Sequence, residues 1–245
     1  MDFTLLIPLI FLSAMLFSSV GHGGASAYLA VFALSGMLPE QMRPAALCLN
    51  VLVASITLFK FYKARAFDWQ LFWPIALASV PMAFIGGLVT LPNQAYKAVV
   101  GLCLIYAAFT IFKHASSTDD ITVKPVSKPI LLALGAGLGL LSGVSGVGGG
   151  IFLSPILLYF SWAKTRVISG VAAAFILANS ISGLLGVLSK SSSLPSHLCY
   201  WAVAAMLGGY IGAEYGSKKL SNPTIRKLLA LVLVFAGGKM LLSAI

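Results

Sequence analysis

No Asp, Glu, Lys or Arg occurs between residues 3 and 39, nor between 129 and 163, and each of these runs carries a cluster of glycines near its middle. Further charge-free runs cover 44–59, 69–96, 98–112, 167–189, 191–213 and 228–238. A bilayer-spanning helix needs about 20 apolar residues. Backbone polar groups in lipid must be satisfied within the segment, so runs of this length are helices, and the alternation of an outer-membrane barrel is absent. Only 9% of the residues are charged and 59% are hydrophobic, against about 25% charged in a soluble domain. That balance excludes a soluble enzyme, a nucleic-acid-binding protein and a disordered chain. The sequence therefore predicts an all-α polytopic membrane protein, with the lipid bilayer as its main partner and no nucleic acid. Met1-Asp2 opens without a basic segment and the apolar run passes any cleavage site, so no signal peptide is expected.

Polar residues from His114 to Lys128 divide the chain almost in half. We expect a first transmembrane repeat over 1–113, a linker over 114–128 and a second repeat over 129–245. The glycine cluster Val20-Gly21-His22-Gly23-Gly24 aligns with Ser145-Gly146-Val147-Gly148-Gly149-Gly150 at an offset of 125 residues. Asn50 aligns with Asn179, Asn93 with Asn222 and Lys97 with Arg226 at an offset of 129. The long opening run of each half is either one span, giving eight in all, or two pieces turning at the glycines, giving ten segments.

The cations separate these readings, because cytoplasmic loops collect Lys and Arg. With eight spans the 16 cations divide evenly between the two sides. With ten, Lys60, Lys63, Arg65, Lys113, Lys124, Lys128, Lys164, Arg166, Lys218, Lys219, Arg226 and Lys227 share one side, and only Arg43, Lys97, Lys190 and Lys239 take the other. Ten segments therefore wins, with the linker cytoplasmic and both termini periplasmic. Five segments per half is an odd number, so the halves are inverted repeats, each opening with a Gly-broken hairpin. Full crossings and re-entrant hairpins share the same parity, and the shortness of the pieces favours helices that dip to mid-membrane.

Inverted repeats with interrupted helices are the plan of secondary transporters, with the site at the interruptions. Backbone freed from helical bonding cannot face lipid. A helix restarting after a break presents open N–H groups and a positive dipole end, which suits an anion. The candidate substrate-binding residues are Ser19, Gly21, His22, Gly23, Gly24 and Asn50 in the first half, and Ser145, Gly146, Gly148, Gly149, Gly150 and Asn179 in the second, with Ser26 and Ser142 flanking the breaks. Asn50 and Asn179 must find polar partners inside the bundle, either the substrate or the broken backbone. His22 either donates to an anion and carries a proton, or bonds to a carbonyl structurally. Glu214 either couples protons or pairs with Lys218 at i+4. Arg43 and Arg166 either attract anions at an entrance or serve as topology cations. Gly86-Gly87 and Gly208-Gly209 read as helix-packing glycines. Cys48, Cys103 and Cys199 lack metal spacing and read as small buried residues, and no phosphate loop or catalytic motif occurs, so no metal or cofactor is expected.

The stretch Gly143-Val144-Ser145-Gly146-Val147-Gly148-Gly149-Gly150-Ile151-Phe152-Leu153-Ser154-Pro155 resembles the sulfite exporter TauE/SafE family, also known as the toluene sulfonate uptake permeases. Gly212-Ala213-Glu214-Tyr215-Gly216, followed by Lys218-Lys219-Leu220, is also similar to that family's second half, and Ala30 stands where the first-half copy would carry proline. The resemblance implies transport of small sulfur-containing anions (sulfite, thiosulfate or organosulfonates) across a bacterial inner membrane. An inside-negative potential drives anions outward by roughly 2.3 kcal/mol per charge for each 100 mV, so export needs no coupling. A channel or a transporter for another oxyanion is the alternative. An intramembrane enzyme is disfavoured by His residues scattered at 22, 114 and 197, and a scaffold has no need of two facing polar breaks.

Overall fold

The computed structural model describes residues 3–113, 123–190, 194–218 and 223–244. The expected linker lies largely outside the described residues, as do Met1-Asp2 and the segments 191–193 and 219–222. The described chain is all α-helical, with five helices in each half. They are α1 Phe3–Ser18, α2 Ala25–Ser35, α3 Pro39–Lys63, α4 Trp69–Leu88 and α5 Asn93–Lys113, then α6 Lys128–Ser145, α7 Gly150–Tyr159, α8 Thr165–Leu188, α9 Leu198–Lys218 and α10 Pro223–Leu242. Of these, α3, α4, α6 and α8 are long and apolar enough to cross a membrane. Large apolar side chains such as Leu77, Leu102, Phe109, Leu207 and Phe235 lie exposed on the outside, where lipid is their natural solvent.

Local signals set the helix ends. Asp68 caps α4, accepting from the N–H groups of Gln70 at 2.8 Å and Leu71 at 3.2 Å. At the end of α1, His22 N–H bonds to Phe17 O at 2.9 Å and Gly21 N–H to Ser18 O at 3.1 Å, with Gly21 at φ 85°. This paired closure needs a left-handed residue, which glycine adopts without strain.

Packing joins opposite halves. The pairs α1 with α9 and α4 with α6 are mates under exchange of the halves, and α3 packs on α8 and α5 on α10. Gly135, Gly139 and Gly143 of α6 sit on the backbone of Ile75, Ser79 and Ala83, so α6 runs parallel to α4. Gly208, Gly212 and Gly216 of α9 sit on Phe11, Met15 and Ser19, so α9 runs parallel to α1. A Cβ at any of these six positions would overlap a carbonyl of its neighbour, so the backbones touch with no side chain between them. The equivalent helices α3 and α8 run antiparallel: Asn50 bonds to Ser180, while Phe61 lies beside Gly170.

The paired arms of each hairpin are unequal, unlike the expected dip to mid-membrane. Gly143 lies opposite Ala83, so α6 ends level with the end of α4. Gly216 lies opposite Ser19, so α1 ends level with the end of α9. Each first arm therefore reaches the far end of the helix it packs on. The second arms start halfway: Ala25 N–H bonds to Asn50, near the middle of α3, and Gly150 packs on Ile176, near the middle of α8. The residues between arms, about 3.3 Å each when extended, carry the chain back to mid-height.

Candidate functional site

Both second arms begin at one place. Gly23 lies against the Asn50 Oδ1 and Ile176 side chains, and Gly148 lies against Asn50 Nδ2, Ile176 and Ser180. Asn50 is almost fully buried and links the two breaks. Its Oδ1 accepts from Ala25 N–H at 3.0 Å, capping α2, and its Nδ2 donates to Ser180 Oγ at 3.1 Å. Tyr28 closes the same turn, donating its hydroxyl to Gly23 O at 2.9 Å. Gly24 and Gly149 are the cap residues of α2 and α7, and both are left-handed. The first-turn N–H groups of Ser26 and Ala27, and of Gly150 and Ile151, meet no acceptor among the described residues. Two positive helix ends therefore face one buried, mid-height region from opposite directions.

Asn179 is also fully buried, yet neither atom of its amide has a partner among the described residues, and Ser142 Oγ is in the same condition. Both belong to the surroundings of the second break. Phe175 and Ile176, one turn before Asn179 on α8, touch Gly149 and Gly150, and Gly183, one turn after it, touches Gly143. The Ser142 side chain borders Gly149.

The other candidates sit elsewhere. Ser19 donates its hydroxyl to Leu16 O at 2.7 Å, and Gly21 packs on Ser169, both at the end of α1. Ser145 donates to Leu141 O at 2.7 Å and accepts from Val147 N–H at 3.2 Å, at the end of α6. Gly146 lies on the stem of Arg43. His22 ties the first break to α7, with Nδ1 3.1 Å from Val20 O and Nε2 3.3 Å from Ser154 Oγ.

Arg43 faces no entrance. It is 8% exposed, and its guanidinium donates to Gly143 O, to Gly86 O and, at 2.9 Å, to Val89 O. It thus holds the ends of α4 and α6 beside the second break. Arg166 in the other half is exposed and donates to one carbonyl, Ser217 O near the end of α9, whereas Arg43 holds three. A guanidinium suits this because one rigid fork reaches several carbonyls at once.

Glu214 stands apart from the breaks. Its carboxylate pairs with Lys218 on the same helix and with Lys60 of α3, whose ammonium also lies 3.9 Å above the Tyr210 ring. If ion pairing is its whole role, Glu214→Gln leaves both the rate of anion flux and its pH profile unchanged. A flattened pH profile would instead assign it to proton coupling.

Sequence reasoning missed Tyr28, Ser154, Ile176 and Ser180 at the centre. Two signals were present: Tyr28 is a phenol inside an apolar run, one turn after Gly24, and Ser180 adjoins Asn179.

The profile of the sulfite exporter TauE/SafE family matches residues 6–240. The chain belongs to the sulfite exporter TauE/SafE family. A probable membrane transporter protein of Sinorhizobium fredii is 36% identical over 234 residues, covering 94% of this chain and 95% of that relative. A second probable membrane transporter protein, from Methanocaldococcus jannaschii, is 26% identical over 265 residues, covering 98% and 97% of the two chains. No solved structure matches. As a TauE/SafE protein the chain is a membrane transporter, and its helices, charge-poor runs and apolar exterior are those of a membrane protein.

Proposed function

We propose that the protein exports a small sulfur-containing oxyanion (sulfite, thiosulfate or an organosulfonate) across a bacterial inner membrane, at a mid-height site between the starts of α2 and α7. The observation that carries this reading is the convergence of both helix starts on Asn50 and Ile176. Such anions offer several acceptor oxygens, which first-turn N–H groups and the Asn and Ser side chains can meet. Nothing in the reading needs a metal or cofactor. The family supports the sulfur-anion class.

The same proposal takes residues 1–113 and 129–245 as repeats of opposite orientation in the membrane. The antiparallel packing of α3 on α8 supports it, because these are equivalent helices. It places both termini in the periplasm and the linker in the cytoplasm. Aromatic clusters support that side as an interface: Tyr62, Phe67, Trp69 and Trp73 beside Lys60, Lys63 and Arg65, and Tyr159, Phe160 and Trp162 beside Lys164 and Arg166.

Purified protein in liposomes is expected to move labelled sulfite, thiosulfate or an organosulfonate. Absence of flux for all three overturns the reading. For topology, single cysteines at Ser116, Ser117 and Thr118, in a background lacking Cys48, Cys103 and Cys199, are expected to resist an impermeant maleimide in intact cells and to react after lysis. Reaction in intact cells would reverse the orientation.

A further inference from the structure

The two breaks are built alike but are not chemically equivalent. Asn50 has both ends of its amide occupied, by Ala25 N–H and by Ser180 Oγ. Its repeat counterpart Asn179 is fully buried with both ends open, and the nearby Ser142 hydroxyl is open too. A buried, unsatisfied amide costs free energy, and native structures keep few of them, so an open pair of this kind calls for a partner absent from the protein itself. Ser142 borders Gly149 at the start of α7, where Gly150 and Ile151 N–H meet no acceptor among the described residues, and Asn179 lies one turn along α8 from Ile176, which packs on Gly150.

The surroundings also define the kind of partner that fits. The side chains against the two helix starts include Tyr28, Asn50, Ser142, Phe175, Ile176 and Ser180, with the titratable His22 at the first break. Arg43 brings a full positive charge beside the second break, its stem against Gly146 and its donors on the carbonyls of Gly86, Val89 and Gly143. Each helix N-terminus adds the equivalent of about half a positive charge. A low-dielectric interior with these positive ends favours an anion. The Asn179 amide offers two N–H donors and an acceptor oxygen, and Ser142 Oγ offers one donor and an acceptor, so the site can meet an O–H as well as acceptor oxygens.

We propose, resting on the anion-transport reading above, that the substrate oxyanion binds at the second break on Asn179 and Ser142. Asn50 serves differently, fastening the first break and holding the two helix starts together.

The test measures ligand-induced thermal stabilisation of the purified protein in lipid nanodiscs at one neutral pH. The ligands are methanesulfonate as the monoanion, and sulfate and thiosulfate as dianions. We expect methanesulfonate to raise the unfolding temperature. Asn179→Ala should unfold at the same temperature as the unaltered protein without ligand, because it removes an unsatisfied group, and should bind methanesulfonate at least about tenfold more weakly. Ser142→Ala should weaken binding in the same direction. Asn50→Ala should lower the unfolding temperature without any ligand, since it strands Ala25 N–H. Undiminished binding by Asn179→Ala overturns the assignment of that residue. No stabilisation by any of the three overturns the site. Binding that depends on Asn179 without liposome flux would sink the transport reading and leave this one standing. Flux that survives Asn179→Ala would do the reverse.

Discussion

Gly148→Ala is expected to cut anion flux at least about tenfold and to lower stability by about 2–5 kcal/mol. Two costs combine. Gly148 has φ 82°, and a left-handed residue with a side chain costs about 1–2 kcal/mol. Its new Cβ would also overlap Asn50 Nδ2 and press on Ile176, and overpacking of this kind costs about 1–3 kcal/mol. Relief requires Asn50 to move, which breaks its bond to Ser180 or to Ala25 N–H and disturbs both helix starts together. Flux in liposomes should fall at least about tenfold, beyond what the amount of folded protein explains. Gly137→Ala is the control: nothing lies within 4 Å of a Cβ there, so flux and stability should hold. Unimpaired flux in Gly148→Ala would remove the second break from the transport site.

Arg43→Met should destabilise the protein by about 2–4 kcal/mol. The methionine keeps much of the apolar stem but supplies no donors, leaving Gly86, Val89 and Gly143 carbonyls without the guanidinium. Gly143 O is left unsatisfied at a cost of about 1–3 kcal/mol, whereas Gly86 O keeps the Val89 N–H at 3.2 Å and Val89 is exposed. Arg43→Lys should recover little, because an ammonium is a point donor and cannot reach three carbonyls in different directions. Thermal unfolding in nanodiscs reads both variants. A lysine variant as stable as the unaltered protein would show that charge alone, and not the fork, is what the site needs.

Much of this arrangement is readable from residue order. The eight charge-free runs, two of them split at their glycine clusters as the cations require, give ten helices, and the Asn50–Asn179 correspondence singles out two buried amides. What resists reading depends on neighbours distant in the chain. The equal-looking arms around each break prove unequal, because a run of apolar residues does not record how far along a neighbouring helix it lies. Arg43 looks like a loop cation, since its carbonyl partners come from α4 and α6. The Glu214–Lys218 pair follows from spacing, whereas Lys60 is 154 residues from Glu214 and only the fold joins them. The opposite fates of Asn50 and Asn179 are equally invisible, because the two residues differ only in what has packed around them.

The glycine-lined contacts bear on how such a machine can move. Each seals a helix of one half to a helix of the other, α1 to α9 and α4 to α6, backbone against backbone. Repeats that rocked against each other as blocks would have to pull both seams apart. The moving parts are therefore composite, each assembled from both halves. Spin labels across α1 and α9, or across α4 and α6, should keep their separations through a transport cycle, while labels on α2 and α7 change theirs.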